Sequence, residues 1–154
     1  MKTTILKAKP KAPPKAKGPA RDANLVQALR RWQQIERESI EGAGVVMEKT
    51  RNPVVRLLME IVRNDSVQHH RIQQFVIDSL TDTALTLTPD DVAAVWDEIA
   101  AHEGREAETI DLANAAKEEC PHFVQRELLD YVLSDELKHE KLFLHLEQLK
   151  KRLY

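Results

Sequence analysis

The sequence predicts an all-α protein built from two copies of one antiparallel helical hairpin, and three observations lead to that reading. Hydrophobic residues make up 42% of the 154 and charged residues 31%, while glycines number only 4 and aromatics reach 5%, a balance poor in strand formers and rich in helix formers. Apolar residues recur at three- and four-residue steps over almost the whole chain beyond Asp22, as helices facing a partner require. The second half of the chain then repeats the first at a constant offset of 70 residues. A chain of this length fits one domain that buries roughly two-thirds of its unfolded surface.

Residues 1–21 carry seven Lys/Arg and four of the seven prolines before any acid appears. They lack the apolar residues to pack and read as a disordered, solvated basic tail, with docking on nucleic acid or an acidic partner as the less favoured alternative. They hold no apolar run of the secretory type, and their prolines break the amphipathic helix of a transit peptide.

Residues 22–154 read as the bundle. Leu25, Leu29, Trp32, Glu36, Ile40, Ala43 and Met47 place one stripe on a first helix over about 23–50. Asn52 before Pro53 ends it, and Pro53 suits the first turn of a second helix over about 53–79. The short link forces an antiparallel pair. The stripe of the second helix is Leu58, Val62, Asp65, His69, Ile72 and Val76, fading into a turn-forming segment from Ser79 to Thr88. Thr88-Pro89-Asp90-Asp91 opens a third helix, over about 89–119, with a capping residue, a first-turn proline and acids at the positive end of the dipole. Its stripe is Val92, Val95, Ile99, His102, Glu106, Ile110 and Ala113. Pro121 restarts the chain as a fourth helix to about 151, striped by Leu128, Val132, Asp135, His139, Leu142 and Leu146.

The offset of 70 runs without a gap. ERESIE at 36–41 falls on EAETID at 106–111, Ala43 on Ala113, Glu48 on Glu118, Arg56 on Arg126, Leu58 on Leu128, Asp65 on Asp135 and His69 on His139. Chance periodicity would match apolar classes without also keeping Glu36/Glu106, Asp65/Asp135 and His69/His139 in line.

Several of these repeated residues are polar on stripes that should be apolar. A carboxylate moved from water into a core costs several kcal/mol unless a cation, a proton or a hydrogen-bond network meets it. Glu136 and His139 stand in Glu-x-x-His spacing, which sends both to one helix face about a turn apart. Asp65 and Asp135 are placed to accept the second ring N–H of a ligating histidine, most naturally on the facing helix. His102 lies on its stripe with Trp32 as its repeat mate, and core packing and metal contact stay equally open for it. His70, His122 and His145 fall off the stripes and read as surface residues, Trp32 and Trp96 as packing at the bundle ends. Cys120, the only cysteine, excludes an internal disulfide, a four-thiolate iron site and a C-x-x-C motif, and reads as a small buried hydrophobe.

With ERESIE, EAETID and SDELKH in view, residues 22–152 resemble the ferritin-like superfamily, and within it the rubrerythrin and bacterioferritin branch. The resemblance implies a four-helix bundle holding two irons, or sometimes manganese, with each hairpin supplying a terminal Glu and then Glu-x-x-His. Carried over, it makes Glu36 and Glu106 terminal ligands, Glu136 a bridging ligand, His69 and His139 the imidazoles, and Glu103 the extra carboxylate of rubrerythrins. At the position of the second bridging Glu this chain has Ser66. Glu36, Glu106 and Glu136 then leave one of the four charges of two divalent ions uncancelled, so that either Glu103 or hydroxide supplies it or one metal binds well. The rubredoxin-type cysteines of full-length rubrerythrins are absent as well.

The expected cofactor is therefore iron, as two ions or as one given Ser66, with manganese or zinc also suited to such N/O ligands. Three functions follow from the residues: a non-haem di-iron peroxidase or ferroxidase acting on oxygen or peroxide, a metal-binding protein for storage, delivery or sensing, or a metal-free structural bundle. A net charge of −2 gives no overall pull toward nucleic acid, leaving only the tail to reach it, and no apolar run approaches the roughly 18 residues of a membrane span. A soluble, cytoplasmic protein is expected, with a homodimer open.

Overall fold

The computed structural model describes residues 19–153, which are all-helical. Five helices follow one another: α1 (Pro19–Lys49), α2 (Pro53–Thr81), α3 (Pro89–Ala93), α4 (Trp96–Glu119) and α5 (Phe123–Leu153). They fall into two compact units divided between Leu85 and Thr86, the first a hairpin of α1 and α2, the second a hairpin of α4 and α5 with α3 against α5. Among the described residues no helix is long and apolar enough to cross a membrane. The basic tail lies outside the described residues, apart from its last three, which open α1.

The repeat is visible in where the elements begin and end. Pro19 and Pro89 open their units, Lys49 and Glu119 close the first long helix of each, and Pro53 and Phe123 open the next, every pair 70 apart. One feature breaks the parallel. The single third helix expected from the sequence is interrupted at Ala94 and Val95, where the Val95 N–H turns to the Val92 carbonyl at 3.4 Å, a three-residue step that tightens the helix and ends it.

The links follow from local chemistry. Asn52 accepts the backbone N–H groups of Val54 and Val55 at 2.9 and 3.2 Å, so that the first turn of α2 has its donors met where Pro53 has none to offer. Thr88 and Asp91 form a reciprocal box at the start of α3, the Asp91 N–H donating to Thr88 Oγ1 at 3.2 Å and the Thr88 N–H to Asp91 Oδ2 at 2.9 Å. The fourth predicted helix starts at Phe123 rather than Pro121, because Cys120 is already extended. Cys120 itself is half-buried, its Sγ 3.6 Å from the His122 carbonyl, and is not the enclosed hydrophobe expected.

Each hairpin closes along a seam with alternating three- and four-residue spacing, the heptad pattern of paired helices. On α1 it runs Val26, Leu29, Gln33, Glu36, Ile40, Ala43, Met47, and on α4 the same positions 70 later are Trp96, Ile99, Glu103, Glu106, Ile110, Ala113, Lys117, all buried or half-buried. Met59, Ser66, His70, Gln73 and Ile77 face α1 from α2. On α1 and α4 the stripes read from the sequence share most of these seams, with Leu29, Glu36, Ile40, Ala43 and Met47 on the first and Ile99, Glu106, Ile110 and Ala113 on the second, whereas on α2 the stripe sits one residue round the helix. Leu25, Trp32, Leu58, Val62, Ile72, Val95, Val132 and Leu142 are exposed, Trp32 and Ile72 by 53% each. The hydrophobic reading strayed at the polar seam positions Gln33, Ser66 and Gln73, all buried. Trp96 is half-buried beneath the Lys150 ammonium, 3.5 Å from the ring centroid, whereas Trp32 packs no helix end. His70, expected at the surface, is half-buried: its Nε2 accepts from Arg37 at 3.2 Å, and its carbonyl accepts from Gln33 at 3.3 Å. His122 and His145 are exposed as expected.

Gln73 is 4% exposed, and neither its amide oxygen nor its nitrogen has a hydrogen-bond partner. Leaving such a group unmet costs about 1–3 kcal/mol, a penalty that removing the group lifts. Gln73→Leu should accordingly raise the unfolding free energy of the metal-free protein, read from its urea transition, by an amount in that range, with a higher midpoint. A lower midpoint would mean that the amide is satisfied in solution.

Candidate metal centre

The heptad seam of the second unit puts three side chains that could hold a metal ion together. Glu106 on α4 and Glu136 and His139 on α5 each offer one donor atom, all within 4.8 Å of one another. His139 Nδ1 lies 3.2 Å from Glu106 Oε2 and 3.5 Å from Glu136 Oε2, while its Nε2 is 3.6 Å from Asp135 Oδ2. Thus one ring nitrogen faces the two carboxylates and the other faces a third acid. Asp135 approaches the ring from its own helix, four residues before His139, rather than across the hairpin, and it is also paired with Lys138. Beside the cluster lies a hollow of about 290 Å³ lined by His102, Glu106, His139, Leu142, Phe143 and Leu146.

Two partly buried carboxylates this close cannot both carry full charge without cost. The hydrogen bond between them resolves the conflict by dividing their affinities for a proton. Glu106 is held below the ordinary glutamate value of 4.5 by the bond from Glu136 and by His139, and Glu136 is pushed above it by that same bond, by burial and by the charge on Glu106. The oxygen and imidazole donors suit iron, manganese or zinc, and a divalent ion between the two carboxylates would relieve their repulsion.

The first unit repeats half of this arrangement. His69 Nδ1 on α2 is 3.4 Å from Glu36 Oε1 on α1, the same two residue types and the same ring nitrogen as in His139 and Glu106. Glu36 is enclosed, its side chain 8% exposed, and His69 is open at 54%. Ser66 is buried in the seam where the second unit carries Glu136, so no second carboxylate joins this pair. Asp65 is half-buried and, among the described residues, makes no ion pair with His69. Glu103 is half-buried one turn before Glu106 but does not belong to the three-residue cluster.

His102 is the residue whose role the sequence left open, and it neither fills a core nor joins the cluster. Its side chain is 52% exposed, its Nε2 meets Glu106 Oε1 at 3.0 Å, and its Nδ1 meets the Arg105 guanidinium at 3.0 Å. The spacing His102-x-x-Arg105-Glu106 was in plain sight, but without the rotamers it could not be told from a solvated helix face. No family model, curated protein or solved structure matches the chain.

The opposed shifts of the two carboxyls give the site a signature with two opposite signs. Glu136 contributes stability that is full below pH 4.5 and fades as pH rises through its raised pKa, whereas the contribution of Glu106 is full above 4.5 and lost as pH falls through its lowered one. Glu136→Gln keeps a donor to Glu106 and removes the charge. In chelator at neutral pH it should melt higher than the natural protein, the gain shrinking as pH falls through the raised pKa of Glu136. Its affinity for divalent metal should drop by more than about ten-fold. Calorimetry with and without manganous ion reads both effects, and a variant that loses stability in chelator contradicts the repulsion between the two carboxylates.

Proposed function

We propose that this chain is a metal-binding protein of ferritin-like, four-helix architecture, with iron as its first candidate metal. The observation that carries the reading is the cluster of Glu106, Glu136 and His139, two carboxylates whose hydrogen bond sets their proton affinities apart, beside an imidazole that keeps a nitrogen turned to them. Its support is the recurrence of the Glu–His contact 70 residues away, at Glu36 and His69, since an accidental ion pair has no reason to be repeated in register. The four-helix architecture is supported by the apolar side chains left exposed at matching positions, Leu58, Val62 and Ile72 in one unit and Val132 and Leu142 in the other. Two-helix units bury too little to be stable alone, and a four-helix arrangement is the economical way to cover such faces.

Glu106, Glu136 and His139 would hold the metal, with Asp135 accepting the outer ring N–H of His139. Glu36 and His69 make a weaker ligand pair, because buried Ser66 supplies no carboxylate. This asymmetry favours one firmly held ion per chain and binding, storage or sensing over the reductive chemistry of a carboxylate-bridged pair. A bound iron would supply electrons to oxygen or peroxide. The residues of the chain would fix the ion and, at Glu106 and Glu136, balance its charge.

Protein purified without added metal should contain close to one iron or manganese per chain by elemental analysis, and ferrous protein should consume peroxide slowly. Ser66→Glu should raise the metal content toward two per chain and speed peroxide consumption, because it gives Glu36 and His69 the carboxylate that Glu136 gives their counterparts. Natural protein that takes up no metal at micromolar concentration would refute the reading.

A further inference from the structure

Glu106 is gripped from two sides, and only one of them belongs to the ligand cluster. One carboxylate oxygen, Oε2, faces His139 Nδ1 at 3.2 Å, and the other, Oε1, faces His102 Nε2 at 3.0 Å. The protonation of His102 follows from its neighbours. A guanidinium has donors only, so the Arg105 N–H at 3.0 Å requires His102 Nδ1 to accept. The remaining proton of a neutral ring is then on Nε2, which donates to Glu106. The ring of His102 is steadied further by Phe143 on α5, with centroids 5.5 Å apart and planes at 49°.

We propose that His102 is a positioning residue for Glu106: with its tautomer set by Arg105, it holds Oε1 and so presents Oε2 to the metal alongside Glu136 and His139. The inference rests on the metal-binding reading above and deepens it. It makes the second unit the high-affinity half of the protein by a device the first unit lacks, because the residues 70 earlier are Trp32 in place of His102, Ile35 in place of Arg105 and Gln73 in place of Phe143. Glu36 accordingly has His69 as its ion-pair partner among the described residues and no second imidazole on its other oxygen.

A structural role and a positioning role separate cleanly here. An exposed histidine paired with a glutamate four residues on contributes little to stability, so a purely structural His102 would be nearly silent in every measurement. A residue that orients a ligating carboxylate is worth about ten-fold or more in metal affinity. The test is isothermal titration of the full chain with manganous ion, and anaerobically with ferrous ion, on the natural protein and on His102→Ala, His102→Gln and Arg105→Ala. His102→Ala should bind about ten-fold more weakly while its melting temperature in chelator stays within about two degrees of the natural protein. His102→Gln, whose amide N–H can reach Oε1, should recover most of the loss, and Arg105→Ala should fall between. Nitrogen-15 shifts of the metal-free protein should place the His102 proton on Nε2. If the natural protein binds metal and His102→Ala binds equally well, the positioning role is overturned and the metal site stands. If His102→Gln is as weak as His102→Ala, or the proton is on Nδ1, the hydrogen bond to Glu106 is not what His102 supplies. Absence of binding by the natural protein overturns the metal reading and this inference together.

Discussion

A carboxylate placed on the seam between two helices must be answered by something, and most of what is distinctive in this chain follows from that requirement. Glu36 and Glu106 occupy heptad positions where leucine would be the ordinary choice. Water cannot reach the first freely, and the second is crowded by another carboxylate. The chain meets the demand with an imidazole from the neighbouring helix in each unit, and in the second unit with a hydrogen bond between carboxylates as well. Each of these devices is weaker compensation than a divalent cation, and two carboxylates beside an imidazole offer donors that could hold one.

The two units share a frame and have diverged in chemistry. Helix boundaries, buried alanines and the Glu–His contact recur 70 residues apart. The seam position that would complete the first unit's ligand set carries Ser66 where the second unit has Glu136, and the buried amide of Gln73 stands where the second unit has Phe143. In the second unit the added carboxylate is accompanied by His102 and Asp135, each touching a member of the cluster, and by Arg105, which touches His102. The groups that could hold a metal are thus concentrated in one unit while the helix boundaries of both stay alike.

Much of this was legible in the sequence where local chemistry decides. Asn52-Pro53 and Thr88-Pro89-Asp90-Asp91 mark helix starts through hydrogen bonds that involve only a few consecutive residues, and both caps are formed. The repeat located Glu36, Glu106, His69 and His139 because polar identity at a fixed offset does not depend on packing. Packing was read correctly along most of α1 and α4 and one residue out of place on α2. Hydrophobic periodicity followed Trp32, Val62 and Ile72, which are exposed, and passed over the buried polar positions Gln33, Ser66 and Gln73. The break at Val95 and the Arg105–His102–Glu106 relay depend on a single backbone step and on rotamers, neither of which periodicity encodes.

The central claim is that Glu106, Glu136 and His139 together bind a metal ion. The most direct measurement is anomalous scattering from crystals of the full chain grown with manganous or ferrous ion, with data collected on either side of the metal's absorption edge. The account predicts an anomalous peak within bonding distance of an oxygen from each of Glu106 and Glu136 and of Nδ1 of His139, with Asp135 against the far side of the ring. Well-ordered crystals in which those three side chains surround no peak, at metal concentrations well above micromolar, would contradict it.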